Sequence, residues 1–250
     1  MAITRAVPPS ITSCELTHLE RRRINFNRAV EQHTAYERAL EDLGCSVVRL
    51  PATPDLPDSV FVEDTAVVLP ELAIITHPGA PSRRPETKSV AEELHSRRPV
   101  AFIRDPGTMD GGDVLRVGKQ IYVGNSSRTN MDGISQLAKI VFPLGYTVRA
   151  VTVTGCLHLK SAVAEIADNT VLLNPAYVDP DLFSDLDRIE IDASEPDAAN
   201  ALRIGDSLIY PTAFPATGGL LAKHGFDVRS IDVSELQKAE AGVTCCSILV

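Results

Sequence analysis

Short apolar strands recur along this chain in pairs. Each pair is preceded by a polar or reactive residue and joined by a turn. The pairs fall at 61–69 with 74–76, 110–115 with 121–123, 157–163 with 171–173, and 198–202 with 208–210, and a last instance occupies 241–250. After each hairpin the period lengthens toward 3.6, predicting helices over 86–96, 130–144 and 216–224 and a weaker one over 180–186, each followed by a strand, at 100–103, 146–153, 227–233 and 188–191 respectively. Ahead of the first hairpin the pattern predicts a strand at 2–7 and then a loop at 10–16, read either as a lid or as a plain connector. A helix follows, capped by Thr17 with Glu20 and running through Phe26, Ala29, Val30, His33, Tyr36 and Leu40 to Gly44, and then a strand at 45–50.

The polar residues that open the units are Asp64, Asp110, His158, Asn200 and Cys245, spaced 42 to 48 residues apart. A repeat of that length marks an array or a propeller, in which each unit buries its apolar face against its neighbours. Five units nearly fill the chain, which predicts one domain over 1–250. The expected fold is α/β, a five-bladed propeller of ββαβ units with pseudo-fivefold symmetry, closed by pairing of the first and last strands. The competing reading is ordinary α/β alternation with unit lengths that agree by coincidence. In a closed ring the five polar residues face a common axis.

Composition narrows the class. Apolar residues make up 44% and charged residues 23%, the balance of an ordinary soluble globule. A formal charge of −9 argues against nucleic-acid and anionic-membrane partners and suits a cationic small-molecule ligand. No stretch has the length of a secretory signal or a membrane span, so a cytoplasmic protein is expected. Five cysteines, an odd number unevenly placed, fit reduced thiols better than a disulfide framework.

Cys245 and Cys246 are adjacent, and on a strand their side chains would point to opposite faces, so one thiol at most reaches the axis. His158, between Leu157 and Leu159, reads as the polar position of an apolar strand. Together they make a Cys/His nucleophile pattern, with Asp110 placed to orient the imidazole and support its charged form. Asp58, Glu63, Asp64, Asp110 and Asp113 gather at the same level, where so many carboxylates need a cation, either a metal or a guanidinium. Asp58 and Asp113 are also candidates for turn or cap positions. The absence of close His or Cys spacing favours the guanidinium. Arg83, Arg84 and Arg128 follow hairpins at equivalent places, suited to a rim that grips a carboxylate. Acids at depth and arginines at the rim fit an amino acid with a guanidinium side chain.

The segments Pro57-Asp-Ser-Val-Phe-Val-Glu-Asp64, Asp110-Gly-Gly-Asp-Val-Leu115, Ser127-Arg-Thr-Asn130, Leu157-His-Leu-Lys-Ser161 and Thr244-Cys-Cys-Ser247, in this order, resemble the dimethylarginine dimethylaminohydrolases of the guanidino-group-modifying superfamily. The resemblance spans the whole chain and implies the five-bladed α/β propeller called a pentein. It implies Cys245 as nucleophile, His158 as general acid and base, and Asp110 as its orienting partner. Glu63 and Asp64 would meet the guanidinium or the amino end of the substrate, with Asp58 nearby. Arg83 and Arg128 would hold the α-carboxylate, and Leu16 would cover the ligand.

The implied reaction releases citrulline and an amine from Nω-methylated arginines, with no metal or organic cofactor, in a monomer or homodimer. Related deiminases of unsubstituted guanidinium groups typically carry Asp two residues after the histidine, where this chain has Lys160. Two alternatives stand beside this reading: a hydrolase of another substituted arginine, and a non-catalytic binder of arginine derivatives with a redox-sensitive thiol.

Overall fold

The computed structural model describes residues 1–250. Strand β1 (Ala2–Arg5) runs parallel to β2 (Val47–Leu50), and helix α1 (Phe26–Asp42) makes the crossover between them. The same plan follows four times. β3 (Ala66–Val68) turns back antiparallel onto β4 (Ala73–Ile75), and α2 (Thr87–His95) leads to β5 (Val100–Phe102), parallel to β4. β6 (Val114–Val117), β7 (Gln120–Asn125), α3 (Met131–Val141) and β8 (Thr147–Thr152) repeat it.

β9 (Val163–Ala167), preceded by the four-residue helix α4 (Leu159–Ala162), pairs with β10 (Thr170–Leu173) and through it with β11 (Asp187–Glu190). In that unit the crossover shrinks to a 3-10 turn at Pro180–Phe183, where the helical pattern was weakest. β12 (Leu202–Ile204), β13 (Ser207–Pro211), α5 (Pro215–Lys223) and β14 (Asp227–Ile231) make the fifth set. Finally β15 (Ile248–Leu249) adds antiparallel to β1, so the two ends of the chain complete one sheet.

The result is five three-stranded sheets. Because successive strand residues point to opposite faces, each sheet feeds two apolar clusters. Ile3 packs with Ala66, Ala73 and Ile75 of the second sheet. Its neighbour Ala2 packs instead with Leu202 and Ile209 of the fifth. Val67 and Ile74 join Val114 and Val123 between the second and third sheets. Leu115 and Tyr122 join Val171 and Leu173 between the third and fourth. Leu172 and Ala164 join Leu208 and Tyr210 between the fourth and fifth. There are thus five clusters for five sheets, and the first sheet shares one with the fifth; this fits a pseudo-fivefold arrangement.

Three local expectations are corrected. The first helix begins at Phe26, not at Thr17. Its cap is Asn25, whose side chain accepts a hydrogen bond from the Arg28 N–H. Apolar periodicity starts only there, after the run Arg21-Arg22-Arg23. His158 is not in a strand but is the extended residue that caps α4. The two adjacent cysteines lie in a 3-10 turn, Thr244–Cys246, just before β15.

Candidate active site

Each of four sheets is entered by a short turn or helix that carries reactive groups: Val62–Thr65 before β3, Gly111–Asp113 before β6, α4 before β9, and Thr244–Cys246 before β15. Backbone this tight brings side chains from distant segments together. Asp58, Asp64, Arg83, Arg128, His158 and Cys245 line one slot, with Glu15, Phe61 and Leu157.

His158 is buried between two carboxylates. Its Nε2 lies 3.1 Å from Asp110 Oδ2, and its Nδ1 lies 3.9 Å from Asp64 Oδ1. The paired glycines of the Asp110-Gly-Gly-Asp segment make this closeness possible. A Cβ on Gly112 would sit 2.7 Å from both His158 Nδ1 and Asp64 Oδ1, and one on Gly111 would sit 2.0 Å from the Glu63 carbonyl oxygen. The Gly112 N–H also donates to Asp64 Oδ1 at 2.9 Å. Asp110 in turn is held by the Gly79 N–H, 3.0 Å from its Oδ1. Asp113 fixes the histidine indirectly. It accepts from the Leu159 N–H at 3.0 Å and from the hydroxyls of Ser126 and Thr129, anchoring the start of α4.

Charge follows from this packing. Burial disfavours a charged imidazole, but Asp64, Asp110 and Asp113 together overcome it and raise the pKa of His158 to about 9. His158 is therefore an imidazolium at neutral pH. Asp64, despite burial, is held below the usual carboxylate range by His158 and Arg83. Three donor atoms, one each from Asp64, Asp110 and His158, lie within 4.8 Å of one another, a spacing a metal ion would accept. The protonated ring already supplies the cation those carboxylates need. The Cys245 thiol is pushed well up by burial and by the Glu63 and Asp64 carboxylates, while the Gly242 N–H, 3.3 Å from its sulfur, acts the other way. Cys246 is fully buried in the cluster shared by the first and fifth sheets.

The remaining expected site residues fall as follows. The arginines are not at a rim: Arg83 is 4% exposed and Arg128 8%. Arg83 spends its donors on Asp64 (2.6 Å), on Glu86, and on the carbonyl oxygens of Asp58 and Phe61. Arg128 is less committed, lying 3.9 Å from Asp110 and donating to Thr17 Oγ1 at 3.3 Å. Glu63 does not itself line the slot. It accepts from Lys160 Nζ at 2.5 Å and from Thr244 Oγ1 at 2.8 Å, and it lines a separate cavity among the first strands of the sheets. Leu16 packs on the cluster shared by the first and fifth sheets, and it is its neighbour Glu15 that lines the slot.

Two contacts were not foreseen from the sequence. The Asp58 carboxylate accepts the Glu15 N–H, and the Glu240 carboxylate accepts the N–H groups of Thr17, His18 and Leu19. Residues 15–19 are thereby tied down over the slot from two sides. Nothing in the local sequence of Glu240, whose backbone has a φ of 60°, signals this.

The pKa pattern carries a testable consequence. The roles expected of Cys245 and His158, sulfur nucleophile and imidazolium acid, need one proton on the pair, yet below about pH 9 the free pair holds two. Since kcat/KM reports the free enzyme, it is expected to climb with pH and level off near 9. Asp110→Asn removes a carboxylate that favours the imidazolium, so the levelling point should move to lower pH in that variant. An unmoved profile would detach Asp110 from His158.

A family model described as N,N dimethylarginine dimethylhydrolase, eukaryotic, matches residues 15–179. The N(G),N(G)-dimethylarginine dimethylaminohydrolase of Streptomyces coelicolor is 40% identical over 250 residues, covering 99% of this chain and 95% of that protein. The protein of the same name from Pseudomonas aeruginosa is 38% identical over 226 residues, covering 90% and 89%. The solved structure of the Pseudomonas aeruginosa enzyme, a Cys-to-Ser mutant complexed with citrulline, superposes with a TM-score of 0.95 at 36% identity, covering 99% of this chain and 97% of that one.

Proposed function

The chain belongs to the dimethylarginine dimethylaminohydrolase family, and from that premise we infer that it is a cysteine hydrolase converting Nω-methylated arginines to citrulline and methylamine or dimethylamine. The observation that carries this reading is the shared slot: Cys245 and His158 line one enclosure with carboxylates and arginines suited to the two ends of an amino acid. The five-bladed closed propeller is part of the same reading. Its support is the cyclic sharing of apolar clusters and the pairing of β1 with β15.

The residues act in sequence. The substrate guanidinium enters beside Cys245, and its positive charge favours the thiolate that burial and the Glu63 and Asp64 carboxylates oppose. Sulfur attacks the guanidinium carbon. The bond from that carbon to the methylated nitrogen breaks as His158, already an imidazolium, delivers its proton to the departing amine. A thiouronium on Cys245 remains. Neutral His158 then takes a proton from water, the oxygen adds to the same carbon, and the carbon–sulfur bond breaks to release citrulline and restore the thiolate. Asp110 holds the ring through both transfers.

Asp58, Glu63 and Asp64 are assigned to the cationic parts of the substrate and Arg83 and Arg128 to its α-carboxylate. Glu63 and Arg83 are committed to internal partners, so each must share or exchange a hydrogen bond when substrate enters. The slot measures about 20 Å³, roughly the room for one water. An amino acid needs more room than this, and residues 15–19, with Leu16, are the segment placed to lift from Asp58 and Glu240 and settle over the ligand.

The test is citrulline release from arginine, monomethylarginine, asymmetric dimethylarginine and agmatine, with and without chelator. The Lys160 amine is neutralised by Glu63 and offers no carboxylate to the far edge of a guanidinium. The methylated arginines should therefore be preferred, and chelator should change nothing. A strong preference for unmethylated arginine would overturn the substrate assignment.

A further inference from the structure

Asn200, the fourth of the five recurring polar residues, has no part in the chemistry above. It is 6% exposed, and both its amide hydrogens and its carbonyl oxygen are used. Nδ2 donates to the Lys160 carbonyl at 2.8 Å and to Thr244 Oγ1 at 3.0 Å, while Oδ1 accepts from the Thr244 N–H at 3.2 Å. Thr244 Oγ1 donates onward to Glu63, and Glu63 holds the Lys160 amine. Four residues thus close a ring of hydrogen bonds through the segments that enter β3, β9, β12 and β15.

A buried amide must be satisfied by something, so saturation alone would mark only a structural residue. The choice of partners says more. Thr244 immediately precedes Cys245, and Lys160 lies two residues after His158 on α4. The amide also packs against Gly242, where an added Cβ would come within 2.2 Å of Asn200 Oδ1. Gly242 is the residue whose N–H points at the Cys245 sulfur.

We propose that Asn200 is a positioning residue for the reaction: it clamps the 242–245 turn to the helical turn after His158, and so sets how sulfur and imidazole face each other. The role rests on the reading of Cys245 as the nucleophile. Without the clamp the turn gains freedom, the Gly242 N–H no longer stays aligned on the sulfur, and the attacking geometry is held for less of the time.

The test uses the full chain with Asn200→Ala, Thr244→Val and Thr244→Ser. Each is assayed for kcat and KM on dimethylarginine and for the pH dependence of Cys245 alkylation by iodoacetamide without substrate, read on the Cys245 peptide. Misplacement by a fraction of an ångström to one ångström costs up to about 10²-fold. Asn200→Ala and Thr244→Val should lose on that order in kcat, with KM little changed and the alkylation midpoint moved to higher pH. Thr244→Ser, which keeps the hydroxyl, should restore both.

If Asn200→Ala does not fold, Thr244→Val decides alone. Wild-type kcat in the folded variants, or a loss of kcat with an unmoved alkylation profile, would overturn the role. Should Cys245→Ser be inactive while these variants behave as wild type, only the positioning of Asn200 fails. Should Cys245→Ser keep turnover, the reading of the site fails first.

Discussion

Cys245→Ser is expected to abolish citrulline formation, a loss of at least about 10⁴-fold, whereas Cys246→Ser keeps most of the activity of the folded enzyme. The two sulfurs are neighbours in sequence but occupy different surroundings. Cys245 lines the slot and receives the Gly242 N–H. Cys246 is fully buried among apolar side chains, with Tyr36, Val60 and Val243 in its cluster, and burial pushes its thiol well up. A serine hydroxyl at position 245 is a far poorer nucleophile for a guanidinium carbon. At position 246 it would bury a polar group without an evident partner, which costs about 1–3 kcal/mol. The second variant should therefore melt earlier while turning over almost normally. Equal loss of turnover in both would mean that the wrong thiol carries the chemistry.

His158→Gly should leave the fold intact and lower kcat by about 10²–10⁴-fold. One ring serves both halves of the reaction, first as the acid that releases the amine and then as the base that activates water. As the cap of α4 it accepts the Ser161 N–H through its backbone carbonyl, which glycine keeps, so the variant deletes no helical hydrogen bond. Asp64 keeps Arg83 and the Gly112 N–H, and Asp110 keeps the Gly79 N–H, so neither carboxylate is left bare. Added imidazole should recover part of the rate in this variant. Turnover near the wild-type rate without imidazole would remove the acid and base role from His158.

The repeat was legible because it is written in apolar alternation, which survives in every unit. Asp64, Asp110, His158, Asn200 and Cys245, found by spacing alone, all lie in or beside the segments that enter the sheets. What the pattern missed is local. Short 3-10 turns have no apolar period of their own, so 62–65 and 244–246 looked like the starts of strands. The Thr17 capping box was a coincidence of residue types: Thr17 instead donates its N–H to Glu240, and its hydroxyl oxygen accepts from Arg128.

The burial of Arg83 depends on carbonyl oxygens of Asp58 and Phe61 that no side-chain pattern reveals. Glu63 and Asp64 are adjacent in one 3-10 turn, yet their carboxylates meet different partners. The former meets Lys160 and Thr244, the latter His158 and Arg83. No helix of the chain is long and apolar enough to cross a membrane.

The thiouronium itself offers the most direct measurement. Wild-type protein turning over asymmetric dimethylarginine is quenched in acid, digested, and weighed peptide by peptide. A substrate-derived mass on the peptide's Cys245, absent from Cys245→Ser and retained in Cys246→Ser, is the predicted result. Turnover that continues with no covalent species at that sulfur, or an adduct confined to Cys246, would contradict the account.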